Sequence, residues 1–382
     1  MALKSFRELR PGYGFDEVAI APGPITVNPE LTDIRLAIDQ HTFDIPIMAA
    51  ALDAVVDPHF AVTFARCGGV AVMNLEGLQT RYDDPNSAIA EIISSGQEDS
   101  SSVIQKAYAA PIREELVGKR VRAIKDKGAV CAVSATPAST KRLAPLAVEA
   151  GADIFVIQST VTTARHISRS VRGLILEELI EAIKVPVLVG NTVTFEAAKE
   201  LMETGISGIL VGVGPGAICT SREVLGVGVP QVTATLDCAA ARDQYYRESG
   251  RYVPLITDGG MRTGGDVCKA LAAGADAVML GSAFAGTEEA PGKGSSWGMS
   301  TGHQALPRGT RVQVGVNTTI ERLLFGPTSR TDGTENLVGA IRTSMGMCGA
   351  QTISQFHEAE LVVAPSIKTE GKRYQLQAGF PR

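Results

Sequence analysis

VPVLVGNT (185–192), TFEAAKELMETG (194–205) and GILVGVG (208–214) follow one another as a β-branched run, an amphipathic stretch closed by glycine, and a second β-branched run. The two outer segments are short, apolar and bounded by Gly or Pro, as buried strands are, and the middle one has helical periodicity. The same unit recurs outward from this point. Further runs lie at IPIMAAAL (45–52), GVAVMNL (69–75), AVCAVSA (129–135), DIFVIQS (153–159), VPLITDGG (253–260) and AVMLGS (277–282). Amphipathic segments such as STKRLAPLAVEAG (139–151) and GGDVCKALAAGAD (264–276) stand between them. Eight strands alternating with helices predict an α/β fold, a (β/α)8 TIM barrel, over an open doubly wound sheet.

Composition agrees with that architecture. The chain has 382 residues, 45% hydrophobic but only 5% aromatic, so its interior rests on Ala, Val, Ile and Leu, as in parallel sheets covered on both faces. One barrel domain over 1–382 accounts for the length. A formal net charge of -5 gives no basic field of the kind that captures nucleic-acid backbones, so nucleic acid is not expected as a partner. The six cysteines show neither CxxC nor Cys/His metal spacing, and a reducing cytoplasm is the expected setting. No signal core and no run of eighteen uncharged apolar residues is present, so no membrane association is expected.

Barrel enzymes carry their chemistry on the loops that follow the strands, and glycines collect in three of those loops here. They are GVGPGAICTSREVLGVGVPQ (212–231), DGGMRTGGD (258–266) and GSAFAGTEEAPGKG (281–294). The last two suit a phosphate, held by backbone N–H groups near Gly260, Gly281 and Ser282. Two stretches fall outside the repeat. Residues 76–128, with the polar run SSGQEDSSS (94–102), read as an inserted, mobile surface segment, and 294–334 reads as a C-terminal flap or lid before a closing helix near 335–345.

Cys219 is the cysteine that lies among glycines and hydroxyls on the predicted catalytic face, between Gly212, Gly214, Pro215 and Gly216 and Thr220, Ser221 and Arg222. Two readings stand: an activated thiol nucleophile, or a small buried hydrophobe as most free cysteines are. The other five cysteines, on strand or helix segments, suit the second. Asp258, before Gly259 and Gly260, is either a bidentate acceptor for two sugar hydroxyls or a helix-capping Asp. The five histidines form no metal-binding pattern.

Taken together, the cysteine loop, the segment 258–292 and SMGMCGA (344–350) resemble the IMP dehydrogenase/GMP reductase family, with similarity from about residue 10 onward. The resemblance implies a homotetrameric barrel whose Cys219 attacks C2 of a purine mononucleotide (GMP, IMP or XMP) with NADPH or NAD as hydride partner. It implies potassium on backbone carbonyls of Gly214, Gly216 and Cys219. It places the nucleotide on Leu52, Gly216, Ala217, Asp258, Gly259, Gly260, Gly281, Ser282, Gly298 and Met299, and the cofactor on Gln158, Ser159, Asn191, Gly212 and Gly214. In family reductases a hydroxyl two residues beyond the cysteine, here Ser221 next to Thr220, works with a flap glutamate, for which Glu321 is nominated.

Several positions depart from the family pattern. Ala217 replaces a phosphate-binding Ser, Ser296 a phosphate-contacting Tyr, Leu52 a Met near the purine, and Gln158 an Asp that contacts the cofactor. A neutral amide at 158 suits the phosphorylated ribose of NADPH. The Arg-Tyr pair with which family dehydrogenases activate water is missing, since no tyrosine lies between Tyr252 and Tyr374, and the 76–128 segment is too short for a CBS module. The expected function is NADPH-dependent reduction of GMP to IMP and ammonia. The alternatives are NAD-dependent oxidation of IMP to XMP, with Arg308 or Arg311 serving the water step, and a non-catalytic purine-nucleotide-binding paralogue.

Overall fold

A computed structural model describes residues 9–167, 173–298 and 311–365. Eight parallel strands close into a barrel: β1 (Ile47–Ala49), β2 (Val70–Asn74), β3 (Ala132–Ala135), β4 (Ile154–Gln158), β5 (Val187–Thr192), β6 (Gly208–Val211), β7 (Leu255–Asp258) and β8 (Ala277–Leu280). Each pairs with its sequence neighbours, and β8 closes on β1 through Val278 opposite Ile47 and Leu280 opposite Ala49. Every one of the eight predicted runs contains one of these strands.

Side chains alternate between two cores because successive strand residues face opposite ways. Met48, Val70, Val72, Ala132, Ile154, Val156, Leu188, Leu210, Ile256, Ala277 and Met279 fill the barrel interior. Leu36, Ile38 and Phe43, from the antiparallel hairpin Leu36–Ile38 with His41–Phe43, join that cluster. Between them, Ile47, Ala49, Ala71, Met73, Val133, Phe155, Val187, Ile209 and Val278 pack against the surrounding helices. Deletion of any one of these fully buried branched side chains costs about 2–5 kcal/mol.

The helical ring comprises α1 (Pro58–Arg66), α2 (Pro85–Ser94), α3 (Ser100–Ala109), α4 (Glu114–Lys125), α5 (Pro137–Glu149), α6 (Leu176–Ile183), α7 (Phe195–Glu203), α8 (Ser221–Leu225), α9 (Gln231–Ser249), α10 (Gly264–Ala272), α11 (Ser282–Ala285), α12 (Ile320–Phe325) and α13 (Leu337–Met347). Capping residues fix several of their starts: Asp57 accepts from the N–H of Phe60, Asp84 from Asn86, Thr194 from Ala197 and Asn336 from Gly339. The helix expected near 335–345 is α13, which packs on α10 and α12.

The segment 76–128 is not the mobile loop that its polar run suggested. It holds α2, α3 and α4, and SSGQEDSSS only turns the chain from α2 into α3. Ala88, Ile89, Ile92, Ile104, Ala107 and Tyr108 recur at helical spacing and bury one shared face against Ala54, Leu78 and Trp297. Trp297 ends the first strand of a hairpin, Ser295–Trp297 with Arg311–Gln313, that forms the base of the flap region. The rest of that region's tip, 299–310, lies outside the described residues.

Candidate active site

A cavity of about 970 Å³ opens over the C-terminal ends of the strands. That is the end at which barrel enzymes carry their chemistry, and the volume lies at the upper end of ligand-site sizes. Its walls bring together Leu52 after β1, Gln158 and Ser159 at the end of β4, and Asn191 on β5. Gly212, Gly214, Gly216, Ala217, Cys219, Thr220 and Ser221 reach it from the loop after β6. Asp258, Gly259 and Gly260 come from β7 and its loop, Gly281 and Ser282 follow β8, and Gly298 comes from the flap base. Met299 lies outside the described residues.

Cys219 is half-buried, and its Sγ lies 3.3 Å from the Oγ of Ser221, with the thiol as donor. Its backbone N–H closes a turn onto the carbonyl of Gly216 at 3.0 Å. The loop is braced from beneath by Arg222, whose guanidinium donates to the carbonyls of Val213 (3.3 Å) and Val229 (2.7 Å). Gly214 has a φ of +80°, and a Cβ there would come within 2.6 Å of the Arg222 side chain. Glycine is needed at that point for both reasons. The other cysteines are no rivals, since none of them lines the cavity; burial pushes the thiols of Cys131, Cys238 and Cys268 up to about 12 or beyond and also raises those of the half-buried Cys67 and Cys348.

Asp258 is the hub of the cavity floor. Its Oδ2 accepts from Gln158 Nε2 at 2.9 Å and from Asn191 Nδ2 at 2.8 Å, and Gln158 also donates to Asn191 Oδ1 at 3.1 Å. No described protein group donates to Oδ1, so one carboxylate edge is left for a ligand. Burial raises the Asp258 carboxyl to about 6 against the opposing effect of its two amide donors. Gln158 and Asn191, read from sequence as cofactor residues, thus act first on Asp258. An aspartate at 158 would set a second carboxylate against the first. Below the floor, Gln231 Nε2 bridges the carbonyls of Val211 and Asp258, and a Cβ on Gly212 would come within 2.6 Å of that amide.

Two sequence readings, those of Glu321 and Arg311, are corrected. Glu321 opens α12, is exposed, and lines a second cavity with Arg66, Cys67 and Glu289, so the fold does not bring it to Cys219. The Oγ of Ser296 is buried without a hydrogen-bond partner and does not line the main cavity, because its strand turns that residue inward. The guanidinium of Arg311 is buried and donates to the carbonyls of Ile92, Ile93 and Ser95 and to the Ser95 hydroxyl, which removes it as a water-activating base.

Sequence reasoning also missed part of the wall. Asn74 ends β2 and Glu76 and Arg81 follow it, Ser134 and Thr136 lie on or after β3, and Gly14, Phe15, Asp16 and Glu17 come from the N-terminal segment. The first five stand where the strand-end rule places chemistry and were legible in principle. Glu76 accepts from the Thr136 N–H at 2.5 Å and the Ser139 hydroxyl at 2.6 Å. The N-terminal segment reaches the site only through tertiary contacts, such as Lys269 on the Phe15 carbonyl at 2.7 Å and Tyr13 N–H on Thr233 at 2.7 Å.

Fold and site together define a barrel enzyme with a loop cysteine facing a carboxylate across one large cavity. Residues 12–371 match the IMP dehydrogenase / GMP reductase domain. An uncharacterised oxidoreductase of Mycolicibacterium smegmatis is 37% identical over 94% of this chain and 98% of its own length. The inosine-5'-monophosphate dehydrogenase of Cryptosporidium parvum is 30% identical over 95% and 94%. Among solved structures, an IMP dehydrogenase/GMP reductase-like protein from Corynebacterium glutamicum superposes with a TM-score of 0.89 at 35% identity, covering 95% of this chain and 97% of that one. The chain belongs to the IMP dehydrogenase/GMP reductase family of oxidoreductases. Among the described residues no helix is long and apolar enough to cross a membrane, and no cluster of His, Cys, Asp or Glu could hold a metal.

Proposed function

We propose that this protein is an NADPH-dependent GMP reductase, and the observation that carries the reading is the Cys219–Ser221 pair facing the same cavity as Asp258. The Cys219 thiolate adds to C2 of GMP, and the C2–N2 bond breaks as the amino group leaves as ammonia. Ser221, 3.3 Å from the sulfur, relays to that nitrogen the proton that the Cys219 thiol gives up as it becomes the thiolate, with Thr220 beside it on the loop. Asp258 holds the ribose through its free edge, and backbone around Gly259, Gly260, Gly281 and Ser282 takes the phosphate. Gly281 lets the first loop close in, since a Cβ there would lie 2.9 Å from Leu52 Cδ1. Leu52 then stands as an apolar wall for the purine, with Gly216, Ala217 and Gly298 beside it in the nucleotide site.

The cofactor, when bound, supplies hydride to C2, after which the C–S bond breaks, releasing IMP and restoring the thiolate. The cavity suits a second ligand beside the nucleotide. It continues past Gln158, Ser159 and Asn191 to Thr136 and Glu76, a polar wall distinct from the glycine loops. A monovalent cation fits the cysteine loop. The carbonyls of Gly214 and Cys219 accept no hydrogen bond among the described residues, and that of Gly216 accepts one. Those three would hold potassium and stiffen the loop.

The dehydrogenase direction requires a base for water. Arg311 is engaged elsewhere, Arg308 lies outside the described residues, and the sequence supplies no flap tyrosine; the missing tyrosine favours the reductive direction. The deciding experiment follows reduced-nicotinamide absorbance with potassium present, comparing GMP plus NADPH with IMP plus NAD. Loss of absorbance with GMP alone is expected. A gain with IMP alone would reverse the direction, and silence in both would leave a nucleotide-binding paralogue.

A further inference from the structure

We infer that Tyr108, on the inserted helix α3, is a positioning residue for the purine-nucleotide site. Its hydroxyl accepts the indole N–H of Trp297 at 3.0 Å and donates to Oδ2 of Asp53 at 2.6 Å. All three side chains are buried: Trp297 is 0% exposed, Asp53 1% and Tyr108 4%. The same Asp53 oxygen accepts the backbone N–H of Leu78 at 2.8 Å, which ties the loop after β2 into the junction.

Each partner adjoins a wall of the main cavity. Asp53 follows Leu52, and Trp297 precedes Gly298, and both neighbours line the cavity. Arg81, a third lining residue, sets its guanidinium 5.9 Å from the centroid of the Tyr108 ring and donates through Nε to the Glu76 carbonyl at 3.0 Å. One hydroxyl therefore fixes the loop after β1, and its ring packs under the loop after β2 and beside the flap base. Those segments lie apart in the chain, and Tyr108 touches all three. The cluster around the junction is otherwise apolar, built from Ala54, Leu78, Ala88, Ile89, Ile92, Ile104 and Ala107. Removing the hydroxyl takes from the Trp297 N–H its described acceptor and from Asp53, whose Oδ1 is already buried without a partner, its side-chain donor, and lets the two walls drift. Reacting groups held between walls are sensitive to shifts on the order of 1 Å. The insertion thus forms part of the nucleotide site's support.

The inference rests on the purine-nucleotide reading above, and its test separates the two. GMP binding is measured by calorimetry, and GMP and NADPH kinetics are measured alongside, for the whole protein, Tyr108→Phe, and the control Ile104→Val in the same helix. The expected result is a rise of about tenfold in the GMP dissociation constant for Tyr108→Phe. The KM for NADPH should rise less than the GMP dissociation constant, because the loop after β2 keeps its other contacts, and Ile104→Val should bind GMP normally. Should Tyr108→Phe not fold, Trp297→Phe breaks the same bond from the other side and is expected to behave alike. Unchanged GMP affinity in the hydroxyl variant, or an equal loss in Ile104→Val, would overturn the inference while leaving the function intact. A whole protein that binds no purine nucleotide would overturn the function itself, and this inference with it.

Discussion

At the scale of single residues, the site depends on two groups with different physical problems. Cys219 needs an open position and a hydroxyl neighbour, and it has both. Cys219→Ala is expected to lower turnover by at least about a thousandfold, because no other nucleophile replaces the sulfur, while GMP affinity by calorimetry stays close to normal. Asp258 must stay charged where burial opposes charge. Its carboxyl titrates near 6 in the folded protein, above its ordinary 3.8, so between those values the native state holds a proton that the unfolded chain has lost. Stability from this group therefore falls as pH rises from about 4 to about 6 and stays reduced above that window. Asp258→Asn keeps an acceptor for Gln158 and Asn191 and removes the buried charge. The variant should gain thermal stability relative to the parent at pH 8 and show little gain at pH 4, as followed by melting across that range. An equal gain at both pH values would mean that the charge is not the cause.

At the scale of elements, a hairpin and an insertion hold each other. Arg311, 9% exposed, donates to the backbone at the C-terminal end of α2, and Gln97 Nε2 returns a hydrogen bond to the Arg311 carbonyl at 3.2 Å. Arg311→Met keeps the bulk of the side chain and removes the guanidinium donors from the half-buried carbonyls of Ile93 and Ser95, while the Ile92 carbonyl keeps the Ser95 hydroxyl. The expected loss is about 2–4 kcal/mol, read as a lower urea midpoint. A midpoint equal to that of the parent would show that water satisfies those carbonyls. The polar run 94–102 hid this clamp, because Ser, Gln and Asp there serve as turn and cap groups. Ser95 Oγ donates to the Ile92 carbonyl at 2.8 Å, and Ser100 Oγ donates to that of Gln97 at 2.8 Å. Composition marks such a stretch as soluble loop, whereas the apolar residues on either side decide that it is a tight turn between packed helices.

At the scale of the molecule, the barrel converts eight strand ends into one cavity, and ligand binding should be felt by the whole fold. GMP at one hundred times its dissociation constant is expected to stabilise the native protein by about 2.7 kcal/mol, seen as a rise in melting temperature. Asp258→Ala should shrink that rise if, as proposed above, its carboxylate makes charge-assisted contacts worth about 1.5–3 kcal/mol to the ribose. A full shift in the variant would take Asp258 out of the nucleotide site.

The eight strands, their parallel order and the cysteine loop were legible in the sequence. Strand and helix periods are local, and a loop of glycines around Cys219 carries its requirement for positive φ in its own residues. The tertiary structure alone decided which side chains meet. Glu321 lies within the expected flap segment 294–334, yet α12 turns it into another cavity. Gln158, Asn191 and Asp258 are 33 and 67 residues apart in succession, and a closed barrel brings their amide and carboxylate groups within 3 Å or so of one another. Tyr108, Asp53 and Trp297 meet only because the insertion folds back over the barrel mouth. Local propensity is written residue by residue, while the partner of a buried polar group depends on where the rest of the chain comes to lie.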